Sequence, residues 1–194
     1  HLPAALGGYS KRHPLVRVRA SVSDTEAVFR AVEEGAASLG FVGAPGGAHL
    51  ESRRFASDEL VLVVPKGHPW WRKRSVTPAD LVRQPFVQRE RGSGSRRCFE
   101  QALERAGASA PALNVVLELG STEAVKAAVL GGAGVAVLSR LAVRGEVSAG
   151  TLKPVSVDGL TCVRDLFVVW DRRRVLPAPA RLFLPFVIPT ADPS

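Results

Sequence analysis

These 194 residues hold no methionine, two cysteines and few aromatic side chains, and each shortage narrows what the chain can be. Without a starting methionine, the sequence is expected to be a piece of a longer protein whose N-terminal neighbour is unseen. Cys98 and Cys162 stand far apart, with no CxxC and no Cys/His spacing of the kind that ligates zinc, so neither a metal nor a cofactor is expected. Cys98 adjoins Phe99 on the apolar side of a predicted helix, which favours a buried free thiol over a disulfide or a redox sensor. Two thiols and no secretory segment point to a reducing compartment, the cytoplasm. No apolar run approaches the roughly 20 residues that span a bilayer, so no membrane partner is expected. Aromatics make up 6%, and the 21 arginines behind the net charge of +8 are spread along the whole chain. A solvated Arg-rich surface therefore explains the charge more simply than a nucleic-acid face, and Arg172-Arg173-Arg174 is too short a run to signal DNA binding.

Catalytic patterns are missing as well. There is no GxSxG elbow, no GxxxxGK[ST] loop and no HExxH helix, and Gly92-Ser93-Gly94 lacks the spacing of a dinucleotide fingerprint. His13 and His68 each precede a proline, as turn residues do, and His49 sits in a Gly-rich loop. Glu90 and Glu123 are the carboxylates nearest the junctions described below, and Glu123 is most simply a first-turn acid that complements a helix dipole. No catalytic residue is assigned, and the chain is expected not to be an enzyme.

What is present is an alternation of strands and helices. Leu2, Leu6 and Tyr9 recur at helical spacing up to His13-Pro14. Val16, Val18, Ala20 and Val22 alternate with polar residues and predict a half-buried strand. Ser23 and Glu26 form a candidate capping box for a helix that Gly35 closes. Strands are predicted at 39–42, 60–64, from Phe86-Val87, and at 115–119, 135–138, 152–157 and 166–170. Helices are predicted from Thr77-Pro78, through Phe99 and Leu103 to Gly107, over 122–130, from Ser139, and over 177–187 with Leu182, Phe183 and Phe186 inward. The tail from Pro189 to Ser194 is expected to fray. This order predicts an α/β fold with mostly parallel sheets.

Two strand-to-helix junctions carry hydroxyls. One runs Arg91-Gly92-Ser93-Gly94-Ser95-Arg96, the other Gly120-Ser121-Thr122-Glu123. Helix starts leave backbone N–H groups unpaired and place the positive end of the helix dipole behind them, which suits a small anion. Each junction also has a structural reading, with Ser95 or the Ser121-Thr122 turn as a plain N-cap worth about 1 kcal/mol. In open α/β sheets ligands lie beyond the carboxyl ends of strands. Both turns belong there, as does Gly43-Ala44-Pro45.

The stretches RERGSGSRRCFEQAL and LELGSTEAVKAAVLGGAGVAVLSRLAV, with LPAALGGYSKRHP, LGFVGAP and DELVLVVPKGHPW in the same order, resemble the effector-binding domain of LysR-type transcriptional regulators almost end to end. The resemblance implies an α/β fold of two Rossmann-like lobes around a cleft, like the type 2 periplasmic binding proteins. Crossings near Arg83-Gln84-Pro85 and Thr161-Cys162-Val163 would give a discontinuous lobe one, 1–84 with 163–194, and a lobe two of 85–162. It further implies a small effector, often an anion, held in the interlobe cleft by Ser93, Gly94, Ser95, Ser121 and Thr122, with Gly43 and Ser139 lining it. Arg89, Arg91 and Arg96 are the arginines near enough to assist. A homodimer or higher homo-oligomer is implied, with DNA bound only through a winged helix-turn-helix that has no counterpart in these residues. The strand that precedes the LPAAL helix in the family is also absent, which would leave lobe one poorly covered. The wide cysteine separation departs from the family's peroxide-sensing branch. The alternative is a solute-binding protein of a transport system with the same fold.

Overall fold

Residues 2–188 are described by a computed structural model; His1 and the Pro189–Ser194 tail, the latter expected to fray, lie outside the described residues. Seven α-helices and eight strands follow one another among the described residues: α1 (Leu2–Arg12), α2 (Thr25–Glu34), β1 (Gly40–Val42), β2 (Leu50–Pro65), β3 (Ser75–Val76), α3 (Pro78–Val82), β4 (Pro85–Arg89), α4 (Gly94–Arg105), β5 (Asn114–Leu119), α5 (Thr122–Leu130), β6 (Ala136–Ser139), α6 (Arg144–Ser148), β7 (Leu152–Val157), β8 (Val163–Asp171) and α7 (Ala178–Val187). The chain divides into two compact units, His1–Ser57 with Asp165–Ser194, and Asp58–Arg164. The first crossing thus falls inside β2, not near Arg83-Gln84-Pro85. The reason is that the second half of β2 pairs with β6 (Leu60 opposite Ser139, Val63 opposite Ala136) and with β7 (Leu62 opposite Val155, Pro65 opposite Leu152). Residues 58–84 therefore belong with the later strands.

In the first unit β1 pairs antiparallel with β8, Gly40 opposite Val169. Its core is Val32, Val42, Leu50 and Val169. α1 and α7 meet through Tyr9, whose ring lies edge-on to Phe183 and Phe186 and whose hydroxyl donates to the Pro179 carbonyl at 2.8 Å. Phe183 faces the core as expected, with Ala180, whereas Leu182, also expected inward, is exposed. Asp24, rather than Ser23, caps α2, accepting from the Ala27 N–H at 2.9 Å. Residues 16–22 form no strand: no described strand pairs with them, and Leu15 and Val22 are 97% and 100% exposed. Alternation alone does not hold a strand without a neighbour to satisfy its backbone groups.

In the second unit β4 and β5 are parallel, with Arg89 opposite Leu119. β6 joins β4 through a parallel bridge between Phe86 and Val135, with Val87 N–H donating to the Val135 carbonyl at 2.8 Å and Val135 N–H to the Pro85 carbonyl at 2.9 Å. β3 runs parallel to β7. The expectation of mostly parallel sheets is corrected: β2 is antiparallel to β6 and β7, and β1 to β8, because one long strand returns against both of its neighbours. Leu81, Phe86, Phe99 and Leu103 are buried together, and the Phe86 and Phe99 rings stack at 5.5 Å, fixing α4 on β4. Each such side chain contributes roughly 1.5–3 kcal/mol by leaving water. Ser139 ends β6 and accepts from Ala142 N–H in a turn; the helix expected to start there, α6, begins at Arg144.

Gly134 makes the close approach of β4 and β6 possible. A Cβ there would fall against the Pro85 carbonyl, whose carbon is 2.7 Å away. Gly134→Ala is expected to destabilise the chain by about 1–3 kcal/mol through overpacking against backbone, read as a lower unfolding midpoint.

Candidate effector-binding site

The carboxyl ends of β4, β5 and β6 point the same way within the second unit, and α4 and α5 start there. Parallel pairing puts the two hydroxyl junctions side by side: Arg89 lies opposite Leu119, and Glu90 N–H donates to the Leu119 carbonyl at 3.2 Å. Ser93, Ser95, Ser121, Thr122 and Ser139 therefore lie at one edge of this unit, as does Gly94, the first residue of α4. Gly43 is in the other unit, in the bend after β1.

The cap of α4 differs from the plain reading, and that of α5 follows it. Ser93, not Ser95, is the N-cap of α4; it is buried and its side chain makes no capping bond. Ser95 stands inside the first turn and accepts from Arg164 Nη1 at 3.0 Å. In α5 the cap is Ser121, which accepts from Ala124 N–H at 3.1 Å, and Thr122 is left for other work. Its hydroxyl accepts from Arg89 Nη1 at 2.8 Å. Ser121→Ala is accordingly expected to cost about 1 kcal/mol of stability, while Thr122→Ala, which removes no cap, melts nearer the parent; differential scanning calorimetry of the two variants compares them directly.

Two arginines serve the two junctions. Arg89 grips Glu90 with Nε and Nη2 at 2.7 and 2.8 Å while Nη1 holds Thr122. Arg164 gives Nη1 to Ser95 and both Nε and Nη2 to Asp58 Oδ2, at 3.1 and 2.8 Å. The other oxygen of Asp58 accepts from the Ser139 hydroxyl at 2.7 Å. A continuous polar chain, Ser95–Arg164–Asp58–Ser139, thus ties the start of α4 to the end of β6. Asp58 is 2% exposed, and such burial demands this degree of pairing. Arg96, expected as a possible ligand contact, is instead a strut. It donates to Glu100, Glu118 and the Arg89 carbonyl. Burial disfavours its charge, but the two carboxylates outweigh this and raise its pKa. Arg91 is exposed.

Neither Asp58 nor Arg164 stood out in the sequence. The available signal was an acid two residues before Leu60–Val64, the most apolar strand stretch: a charge at the mouth of a fully buried run needs a partner. His68 is a turn residue as expected, its Nδ1 accepting from Trp70 N–H at 3.1 Å, and burial lowers its pKa against a hydrogen bond with Gln84. The charge of Arg173 and Arg174 is met by Asp171, whereas Arg172 forms no ion pair among the described residues. No group of three or more metal-ligating side chains is gathered among the described residues, and none of the described helices is long and apolar enough to cross a membrane.

A family model described as the LysR substrate binding domain matches residues 1–191. The uncharacterized HTH-type transcriptional regulator MJ0300 of Methanocaldococcus jannaschii is 36% identical over 186 residues, 96% of this chain and 63% of the relative. The HTH-type transcriptional regulator CbbR of Xanthobacter flavus is 35% identical over 179 residues, 91% of this chain and 53% of the relative. The chain thus spans less than two thirds of the length of either relative. Among solved structures, the CcmR regulatory domain of Synechocystis PCC6803 in complex with 2-PG superposes with a TM-score of 0.85 at 26% identity, covering 96% of this chain and 89% of that one.

Proposed function

Since the chain belongs to the LysR substrate binding domain family, we propose that it is the effector-sensing part of a LysR-type transcriptional regulator, binding a small anionic molecule at the starts of α4 and α5. Its fold is the type 2 periplasmic-binding-protein-like α/β fold of that family. The observation that carries the ligand reading is the pairing of two helix starts with two guanidiniums, Arg89 on Thr122 and Arg164 on Ser95. An incoming carboxylate or phosphate would take the place of Glu90 on Arg89, exchanging one charge-assisted fork for another. The backbone N–H groups of two first turns add their dipoles. Ser93, Gly94, Ser95, Ser121 and Thr122 are the contacts proposed in this unit, with Ser139 placing Asp58 behind them and Gly43 assigned to the other unit.

The regulator reading extends to a cytoplasmic homo-oligomer, a dimer or larger, that meets DNA through a separate domain. Effector binding shifts the regulator between arrangements only by its unequal affinity for them. The role is one of binding without turnover. Asp58 and Glu90 are each held by an arginine, and Glu123 by Lys126, and so are poorly placed to shuttle protons. A transport-system solute-binding role, the rival reading, is disfavoured by relatives that are named transcriptional regulators. The test is a thermal-shift screen with 2-PG, inorganic phosphate, sulfate and small carboxylates. A saturable rise in melting temperature with at least one of them supports the reading, since ligands of the folded state stabilise it; turnover of the bound molecule would overturn it.

A further inference from the structure

The two cysteines, 64 residues apart in sequence, touch in space: their Sγ atoms are 2.9 Å apart. The expectation of a buried free thiol at Cys98 did not include this contact. Cys98 lies on α4, one turn beyond Ser95. Cys162 sits just before β8, where its carbonyl accepts from Leu60 N–H at 2.8 Å. Both belong to the second unit. Cys162 is buried within the Phe86–Phe99–Leu103 core, while Cys98 is partly exposed at its margin. Cys98 is thus the more exposed residue of the two and Cys162 the more buried. A disulfide bond is about 2.05 Å long, so roughly 0.9 Å of side-chain movement would close the gap.

Charge distribution favours the same division of labour. The hydrogen bond shared by the two sulfurs lowers the Cys98 pKa; burial opposes this, and Arg164 and Arg105 reinforce it. The Cys162 pKa is raised, by its bond to Cys98 and by burial. A thiolate at Cys98, the more exposed sulfur, would be the reactive form of the pair.

We propose that Cys98 and Cys162 are a reversible disulfide-forming pair, with a hydroperoxide as oxidant and a dithiol as reductant. With hydrogen peroxide the first step is attack of the Cys98 thiolate on one oxygen; the O–O bond breaks, and the departing hydroxide takes up the proton the thiol gave up, as water, leaving Cys98 as a sulfenic acid. In the second step the Cys162 sulfur attacks the Cys98 sulfur, the S–O bond breaks, and the leaving hydroxide takes the Cys162 proton to form a second water. Both sulfurs are oxidised and one peroxide is reduced. A dithiol reverses the change by two successive thiol–disulfide exchanges.

The experiment is stoichiometric hydrogen peroxide on the whole chain, alkylation of the remaining thiols, proteolysis and mass spectrometry. The expected product is one pair of peptides joined through Cys98 and Cys162, two hydrogens lighter than their reduced sum and separated again by dithiothreitol. Two alkylated thiols, a Cys98 that proceeds to sulfinic acid, or a cross-link between two chains would each overturn the proposal. The Cys162→Ser variant should accumulate a sulfenic acid at Cys98 that a cyclic dione traps. The Cys98→Ser variant should stay unmodified, and the reverse pattern would overturn the assignment of roles. None of these readouts requires an effector.

Discussion

Asp58→Ala is expected to lower the unfolding free energy by about 3 kcal/mol, the low end of the 3–5 kcal/mol lost when one partner of a buried ion pair is removed. The carboxylate accepts two bonds from Arg164 and one from Ser139, and alanine supplies none. Arg164 would keep only the Ser95 hydroxyl for its charge. Its side chain is 19% exposed, so water relieves part of the loss, which sets the estimate at the low end. Urea unfolding checks this as a lower midpoint at unchanged slope. Arg164→Met strands the Asp58 carboxylate instead and should cost as much or more. In a double-mutant cycle, Asp58→Leu with Arg164→Met should be less damaging than the sum of its parts. A loss under about 1 kcal/mol for Asp58→Ala would mean that water already solvates the pair as it does at a surface.

Arg89→Ala is expected to weaken binding of whichever anion stabilises the chain by 10- to 100-fold, about 1.5–3 kcal/mol, the usual worth of a hydrogen bond to a charged group. The stability loss should be smaller, because the interactions removed are one fork to the adjacent Glu90 and one bond to Thr122. Thr122→Ala and Ser95→Ala should each weaken binding by less, since each deletes a hydroxyl and leaves the guanidiniums in place. Titration calorimetry on the variants, paired with their melting temperatures, separates loss of a ligand contact from loss of structure. Equal melting loss with unchanged affinity at Ser95 or Thr122 would return those hydroxyls to a purely structural role.

Much of this was visible in the sequence, and what was hidden has physical causes. The hydroxyl turns could be read because a strand end, a small-residue turn and a helical repeat leave local marks. Leu60–Val64 could be read because a strand covered on both faces is continuously apolar. The first half of β2, Glu51–Ser57, could not, since its residues are mostly polar and only pairing makes them a strand. Asp58 and Arg164 are 106 residues apart, and so is the knowledge that they meet. The same holds for Cys98 and Cys162. The alternation at 16–22 was genuine but lacked a partner strand among the described residues. Family membership survived these errors because it rested on the order and spacing of many short pieces, not on any single element.

The most direct test of the central claim is an amide chemical-shift titration of the chain with the anion that gives the largest thermal shift. The strongest changes are expected on the backbone N–H groups of Gly94, Ser95 and Arg96 and of Thr122 and Glu123, with the Arg89 side chain following. Changes centred instead on the depression of the first unit lined by Val32, Ala37, Arg174 and Pro177 would contradict it.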